Sequence, residues 1–446
     1  MTETGRLARI SGWGRYPVVE CQVARPGRVD DLAALAEAQS LIGRGCGRSY
    51  GDSSLNPALT VETGGANRLL DFDPETGLLT CEAGVSLADI FQLFLPRGWI
   101  VPVTPGTKFV SIGGMISSDV HGKDHHKNGG FCDHVEWLDL ALPRGRIVRC
   151  GPGLEPELFA AACGGMGLAG LILRAAFRMK RVETAMIRQH TLRAGNLDAA
   201  MDLLEGSLNW TYSVAWIDCL AKGEALGRSV VFLGEHALPG QLPASLCEAP
   251  LIPRRRRSKK VPLDFPSFAL GPLSVRLFNA FYYRAHADGE ALVDLDTYYY
   301  PLDALSDWNR IYGKRGFVQY QCVLPHAASR EGMARLLEAI SAAGLGSFLA
   351  VLKRMGPQSF GLLSFPMEGY TLALDFPATD AALALLQRLD EIVVEAGGRI
   401  YLAKDARVGA AAFAAGYPRL EELRAVRRTW GLDAAFRSLQ SDRLEI

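Results

Sequence analysis

The first 180 residues alternate between short apolar segments with strand periodicity and short amphipathic segments with helical periodicity. This alternation predicts small αβ units joined by glycine-rich loops. We predict strands at 18–26, 59–61, 78–85, 99–105, 135–142, 146–149 and 171–179, and helices at 27–40, 86–98 and 156–162.

The pattern changes near Val182, where segments become longer and richer in aromatic residues. Residues 317–325 and 370–377 alternate as strands do. Each is followed by a helical segment, at 330–344 and at 380–397. This order predicts an α+β fold in which helices cover a mostly antiparallel sheet.

A chain of 446 residues is too long for one ordinary core, so two or three domains are expected. We predict a first domain at 1–181 and a second, substrate-binding domain at 182–396. A C-terminal segment at 397–446 would end in helices that return to the first domain.

Composition excludes several classes of protein. Lysine plus arginine and aspartate plus glutamate number 48 each, so no net charge recruits nucleic acid. No apolar run approaches a membrane span, the N-terminus lacks a signal pattern, and the nine cysteines form no C-x-x-C pair. We therefore expect a cytoplasmic protein. The basic run at 254–260 predicts a mobile solvated loop, and the alternative is a peripheral contact with anionic lipid.

Two glycine-rich segments lie at 43–52 and 164–170. The first alternates glycines with two arginines, which suits a phosphate cradle, although an ordinary tight loop has the same pattern. The second matches G-x-G-x-x-G, but a predicted helix precedes it and a strand follows it. A Rossmann turn has the opposite order, so we reject that interpretation.

A third segment, at 101–134, combines a Pro-Gly turn and a Gly-Gly pair with a dense group of polar side chains. Bare backbone beside titratable groups suits a flat, phosphorylated cofactor, and the alternative is a surface loop beside a solvated cluster. His125 and His126 lack a partner carboxylate at ligand spacing. We interpret them as polar loop residues and expect no metal.

The family resemblance rests on segments in order along nearly the whole chain. The first four resemble the FAD-binding half of vanillyl-alcohol-oxidase type flavoproteins: GRGCGRSYGD (43–52), PGT (105–107), SIGGMISSDVHGKDHH (111–126) and GGMGLAG (164–170). Later segments resemble the decaprenylphosphoryl-β-D-ribose 2-oxidase family: SVAWIDCLA (213–221), YYPLDALSDWNRIYGKRGFVQYQ (299–321), FLAVLKRMGP (348–357), LSFPMEGYTLALDFP (363–377) and GGRIYLAKDAR (397–407). The resemblance implies a two-domain flavoprotein with an N-terminal FAD-binding domain.

The resemblance also implies which residues contact FAD. The phosphate and ribityl contacts would be Gly43, Arg44, Gly45, Cys46, Gly47, Arg48, Ser49, Tyr50, Gly51, Asp52, Ser53, Gly106, Ser111, Ile112, Gly113 and Gly114. The isoalloxazine-side contacts would be Ser118, Asp119, Val120, His121, Ile172 and Tyr401. His121 occupies the position that carries a covalent flavin in many members of the superfamily. We expect a non-covalent flavin here.

Six residues match the family's substrate pocket: Tyr50, Lys123, Gln319, Gln321, Lys353 and Lys404. Lysine acts as a base only when burial or a neighbouring cation lowers its pKa. Lys404 follows an apolar segment, and we expect Lys123 to be that neighbour. Lys404 would then be the general base or alkoxide stabiliser, Tyr401 would pack on the flavin, and Lys123, Gln319 and Gln321 would fix the sugar hydroxyls. Lys353 would assist phosphate contacts.

Two positions depart from the family. Its inhibitor-reactive cysteine falls on Ala373, and the asparagine two positions earlier falls on Thr371. Three hypotheses follow: a polyprenylphosphoryl-ribose 2-oxidase working with a partner short-chain reductase, an oxidase of a different sugar or alditol, and a flavin-loaded protein that binds membranes without turnover. The retained lysines and glutamines argue against the third.

Overall fold

The strands divide into sheets that follow the chain order, in a computed structural model that describes residues 5–253, 258–266 and 270–446. Residues up to 178 form two sheets. Their strands, in spatial order, are β1 (Arg6–Ser11), β2 (Val18–Ala24), β4 (Thr60–Glu62) and β3 (Ile42–Arg44), and then β5 (Leu69–Asp73), β6 (Leu78–Glu82), β10 (Leu171–Arg178), β8 (Val135–Leu142) and β9 (Arg146–Cys150).

Residues from 186 to 400 form one eight-stranded sheet in which every neighbouring pair is antiparallel. Its spatial order is β16 (Gly289–Asp294), β12 (Met186–Ala194), β14 (Ser229–His236), β13 (Tyr212–Ile217), β19 (Ala350–Met355), β20 (Gly369–Pro377), β18 (Phe317–Pro325) and β21 (Arg399–Ile400). Two short pairs complete the strands, β7 (Trp99–Ile100) with β11 (Lys180–Arg181) and β15 (Lys259–Lys260) with β17 (Leu305–Ser306).

The described helices are, in chain order, α1 (Val29–Leu35), α2 (Leu87–Phe94), α3 (Ile112–Ser117), α4 (His125–Asn128), α5 (Pro156–Ala162), α6 (Leu197–Glu205), α7 (Ala244–Cys247), α8 (Pro272–Ala285), α9 (Leu295–Tyr299), α10 (His326–Ala343), α11 (Asp380–Glu395), α12 (Ala410–Gly416), α13 (Leu420–Trp430) and α14 (Leu439–Arg443). The two longest of them, α10 and α11, pack on the large sheet. No helix in the described part of the chain is long and apolar enough to cross a membrane.

The predicted α+β class and the antiparallel large sheet are confirmed. Local sequence explains several boundaries: Ser86 caps α2 in a reciprocal box with Asp89, Thr379 caps α11, and Gly344 ends α10 in the left-handed conformation. The helix predicted at 27–40 ends at Leu35. Residues 36–38 continue it as turns, and Leu41 then donates its amide to Ala435 in the C-terminal segment.

The C-terminal segment lies against the first two sheets. Asn56 donates to the backbone of Arg437, and Arg443 on α14 pairs with both Asp52 and Asp405. Both aspartates are nearly inaccessible to solvent, so each has a charged partner where an unpaired charge would be costly. The boundaries at 181 and 396 stay a prediction.

The predicted loop at 254–260 is described only in part. Its four arginines lie outside the described residues. Lys259 and Lys260 are not loop residues, because their strand pairs in parallel with Leu305 and Ser306, and Lys260 also pairs with Asp307 at 3.5 Å.

Candidate active site

Helix α3 is the point at which the three glycine-rich segments meet. A Cβ at Gly45 would lie 2.1 Å from Oγ of Ser111, so only glycine lets the 43–53 segment lie against the start of α3. Ser111 caps α3 by accepting from the amide of Gly114. At the other end of α3, Gly164 and Met166 donate their amides to Ile116 and Ser117.

Beyond the C-terminal end of α3, the rings of Tyr401, His121 and Phe365 pack together. The hydroxyl of Tyr401 donates to the carbonyl of Ser118 at 2.9 Å, and its ring lies 5.2 Å from that of His121. Phe365 stacks on Tyr401 with ring centroids 4.6 Å apart. Ile172, on β10, is buried. Segments far apart in sequence thus bring Ser118, His121 and Tyr401, three of the residues predicted for the isoalloxazine side, to one place.

Two buried polar atoms here have no protein partner among the described residues: Nδ1 of His121 and Oδ2 of Asp119. Buried polar groups normally have partners, so such atoms are expected where a bound group completes the hydrogen bonding. Gly106 faces open space, with no atom within 4 Å of a Cβ built on it. The residues present therefore fit a polar, extended cofactor.

Some side chains of the predicted cradle are engaged elsewhere. Arg44 donates to the carbonyl of Ser11 at 2.7 Å, and Arg48 lies over the ring of Trp13 at 3.9 Å. Asp52 is held by Arg443, and the carboxylate of Asp119 accepts from the amide of Cys132. Any contact of Arg44, Arg48 and Asp52 with FAD would therefore come mainly from their backbone, whereas Asp119 keeps Oδ2 free of a protein partner in the described part of the chain.

The polar side chains of the predicted pocket lie on one face of the large sheet. Strand register places Gln319 opposite Asp375, Gln321 opposite Ala373, and Lys353 opposite Thr371. Because successive side chains of a strand alternate between faces, Thr371, Ala373 and Asp375 share a face with these partners. The sheet geometry thus assembles this half of the site.

Lys404 reaches the same face from the turn after β21. Its Nζ lies 4.0 Å from the ring centroid of Tyr50. The amide of Tyr50 donates to the carbonyl of Ala403, and a Cβ at Gly51 would lie 1.9 Å from the carbonyl oxygen of Asp405. The first glycine-rich segment therefore packs directly on the Lys404 turn. Asp405 bonds to Arg443, so Lys404–Asp405 is not the surface ion pair that such neighbours commonly form.

Asp375 is the residue that the sequence reasoning missed. It is 1% exposed and accepts from the side-chain amide of Gln319 at 2.5 Å and from the hydroxyl of Tyr312 at 3.5 Å. Burial raises the pKa of this carboxyl well above its usual range, because the Gln319 hydrogen bond and the charge of Lys404 offset only part of the effect of burial. The available signal was a single charged residue within the apolar strand YTLALDFP.

All three pocket lysines have depressed pKa values, chiefly because burial disfavours the ammonium form. Burial and the charge of Lys353 lower the pKa of Lys123 to about 7. Burial lowers the pKa of Lys353 to about 8, opposed by Asp124. Burial also lowers the pKa of Lys404, Asp375 opposes that change, and Lys353 adds to it. The predicted depression of Lys404 is thus seen, but Lys353 and not Lys123 is the neighbouring cation.

The histidines differ in their surroundings. Nε2 of His121 accepts from the amide of Gln321 at 3.0 Å, and that amide also donates to the hydroxyl of Thr371. Burial and nearby lysines hold the pKa of His121 well below its usual range, so the ring is neutral with its hydrogen on Nδ1. The interpretation of His125 as a loop residue is wrong: it is 1% exposed in α4, and its Nδ1 accepts from the amide of Gly356.

Comparisons with known proteins agree with this geometry. Residues 22–151 match the FAD binding domain family. Over 449 aligned residues, the chain is 37% identical to a decaprenylphosphoryl-β-D-ribose oxidase of Mycolicibacterium smegmatis, covering 98% of this chain and 97% of that protein. An uncharacterised Streptomyces coelicolor protein is 34% identical, over 81% of this chain and all of its own length. A mouse L-gulonolactone oxidase is 28% identical over 36% of this chain and 37% of its own length.

The matched FAD domain contains two of the glycine segments that meet at α3, those at 43–52 and 101–134. The full-length relative also covers the segment at 164–170 and the polar face of the large sheet. FAD is therefore the cofactor that this site takes. The chain belongs to the decaprenylphosphoryl-β-D-ribose oxidase family of FAD-dependent oxidoreductases.

Proposed function

We propose that this protein oxidises the 2-hydroxyl of a polyprenylphosphoryl-β-D-ribose to the 2-keto sugar. The observation that supports this most directly is the cluster of Lys404, Asp375 and Tyr50 beside two further lysines of depressed pKa. A secondary alcohol loses a hydride from carbon and a proton from oxygen when it becomes a ketone. FAD, when bound, supplies the hydride acceptor.

The protein's own side chains must accept the proton of the hydroxyl group. The neutral amine of Lys404 takes the hydroxyl proton and becomes an ammonium, which the carboxylate of Asp375 then stabilises. Gln319 is held by Asp375, and Gln321 is held between His121 and Thr371, so both amides are oriented before a sugar arrives. Lys123 and Lys353 would supply positive charge for the sugar phosphate, whose presence favours their ammonium forms.

The test is anaerobic addition of a short-chain, water-soluble polyprenylphosphoryl ribose to the purified yellow protein. We expect the visible flavin bands to bleach, with one 2-keto sugar formed for each flavin reduced. Bleaching by other sugars or alditols, but not by this compound, would favour the second candidate function. The replacement of the family's cysteine and asparagine by Ala373 and Thr371 on the pocket face is the observation that keeps that candidate open. A protein that binds no FAD would contradict both.

Three further expectations accompany this proposal. A partner short-chain reductase would complete the epimerisation to the arabinose donor by reducing the 2-keto sugar. The cytoplasmic location and a lipid contact through 254–260 also stay predictions.

We expect the flavin to be held without a covalent bond. Nε2 of His121 is occupied by Gln321, and the ring is fixed beside Tyr401 and Phe365. Precipitating the protein with acid should therefore release all yellow colour into the supernatant. Colour that stays with the precipitated chain would show a covalent bond and overturn this expectation.

Ala373 should decide the response of the pocket to thiol-directed reagents. It is partly exposed, on the face that carries Gln321 and Lys353. We expect Ala373→Cys to lose most of its activity in iodoacetamide, because nearby lysines favour the thiolate, and we expect substrate to protect it. The wild type, whose exposed cysteines are Cys46 and Cys247, is the control, and its loss sets the background because Cys46 lies in the predicted FAD cradle. Ala373→Cys should lose activity much faster than this background. A variant as resistant as the wild type would contradict the placement of this residue.

A further inference from the structure

Helix α8 exposes an apolar stripe along its length. Leu273, Leu277 and Phe281 are 71%, 63% and 71% exposed and recur every four residues, so they lie on one side of the helix. The opposite side is anchored, because Val275 and Asn279 are buried and Asn279 donates to Asp218. Single exposed apolar residues are ordinary, whereas a contiguous stripe on an anchored helix marks an interaction surface.

The charge around the stripe is positive. Helix α8 carries Arg276 and Arg284, both exposed, and no acidic residue. Lys314 and Arg315 are exposed and line a cleft whose wall includes Pro272, the first residue of α8. An amphipathic helix with leucine and phenylalanine on one side and basic residues around it is typical of segments that lie in a membrane interface.

A row of aromatic rings joins this helix to the reaction site. From the Tyr50 ring beside Lys404 to Phe278 on α8, successive ring centroids are 5.3 Å apart for Tyr50–Phe317, 4.3 Å for Phe317–Tyr312, 5.8 Å for Tyr312–Phe348 and 5.8 Å for Phe348–Phe278. A cleft of about 340 Å³ opens beside this row, walled by Leu270, Pro272, Ile311 and Phe376, with Lys314 and Arg315 in its lining.

We propose that the Leu273–Leu277–Phe281 face of α8 docks on a phospholipid bilayer that carries anionic headgroups. The apolar stripe enters the interface, and Arg276, Arg284, Lys314 and Arg315 contact the headgroups. The cleft and the aromatic row then offer an apolar route from the bilayer towards Lys404. The route for the substrate rests on the proposed function, in which the substrate is lipid-linked. The docking itself needs no turnover.

The test is flotation of the FAD-loaded protein with vesicles of phosphatidylcholine, with and without phosphatidylglycerol. We expect the protein to float with the anionic vesicles and to be released by high salt. The Leu277→Asp/Phe281→Asp variant should bind at least about tenfold more weakly, because two charges replace apolar side chains in the stripe. A matched control is Leu154→Asp/Leu238→Asp, which adds the same charge at two exposed leucines outside the helix and should bind as the wild type does.

Several outcomes would overturn the proposal. They are no flotation with anionic vesicles, equal flotation with neutral ones, or equal weakening in both double variants. A dimer that Leu277→Asp/Phe281→Asp dissociates would show instead that a second copy covers this face. The Leu277→Asp/Phe281→Asp variant should still be bleached by a water-soluble short-chain substrate at the wild-type rate. Loss of that bleaching in the wild type as well would contradict the proposed function, and not the docking.

Discussion

Lys404→Ala is expected to slow anaerobic bleaching of the flavin by about 10²- to 10⁴-fold, the usual contribution of a positioned general base. Lys404 is the lysine closest to Tyr50, and its pKa is lowered by burial and by Lys353, so a useful fraction is neutral near neutral pH. Without the amine, the hydroxyl proton has no acceptor as carbon gives up its hydride. The measurement is single-turnover bleaching followed by stopped-flow absorbance.

The controls separate chemistry from folding. Lys404→Ala should retain FAD, because the flavin-side contacts come from α3 and the glycine segments. Lys222→Ala, at an exposed lysine outside the site, should bleach at the wild-type rate. A small primary amine added to Lys404→Ala should restore part of the rate. Bleaching of Lys404→Ala at the wild-type rate would remove Lys404 from the chemistry.

Asp375→Asn is expected to shift the pH dependence of bleaching to lower pH, by about one unit or more. The reaction needs neutral Lys404, so its rate rises with pH through the pKa of that lysine. The Asp375 carboxylate favours the ammonium form and so raises this pKa. Removing the charge lets the pKa fall, and the rise in rate moves towards acid.

The maximum rate of Asp375→Asn should also fall, by about tenfold, because a weaker base has less driving force to take the proton. The matched control is Asp390→Asn. Asp390 is a buried carboxylate on α11, and it pairs with Arg407 at 2.6 Å. That control should lower the free energy of unfolding and leave the pH profile in place. An unchanged profile in Asp375→Asn would mean that Asp375 only orders Gln319 and Tyr312.

The elements were largely predictable because their signals are local. The strands predicted at 317–325 and 370–377 are present as β18 and β20, although nearly every position of both is buried, and the helices after them repeat apolar positions at helical spacing. The rejection of a Rossmann turn at 164–170 also agrees with the structure, in which α5 precedes the segment and β10 follows it. The helix predicted at 27–40 was too long, and the segment after Leu35 contacts the other end of the chain, where Leu41 donates its amide to Ala435.

The sequence names candidate residues for the site but does not give the geometry that relates them. Asp375 was missed because its importance depends on strand register opposite Gln319 and on the approach of Lys404 from another element. Lys123 was expected to be the cation that lowers the pKa of Lys404, but that cation is Lys353, whose position also depends on strand register. His125 was interpreted as a loop residue, although the amide of Gly356 holds it inside the fold.

By itself, the sequence determined the class of the fold, the glycine segments and the types of residue that could serve an FAD oxidoreductase. These depend on periodicity and on the conformational freedom of single residues, which are properties of short stretches of chain. Only the tertiary structure decided which charges meet. The pKa of Lys404 depends on burial and on Asp375 and Lys353, and the exposed stripe of α8 depends on which side of that helix the fold leaves uncovered. The pKa of Lys404 and the exposure of the α8 stripe both depend on how segments far apart along the chain pack together.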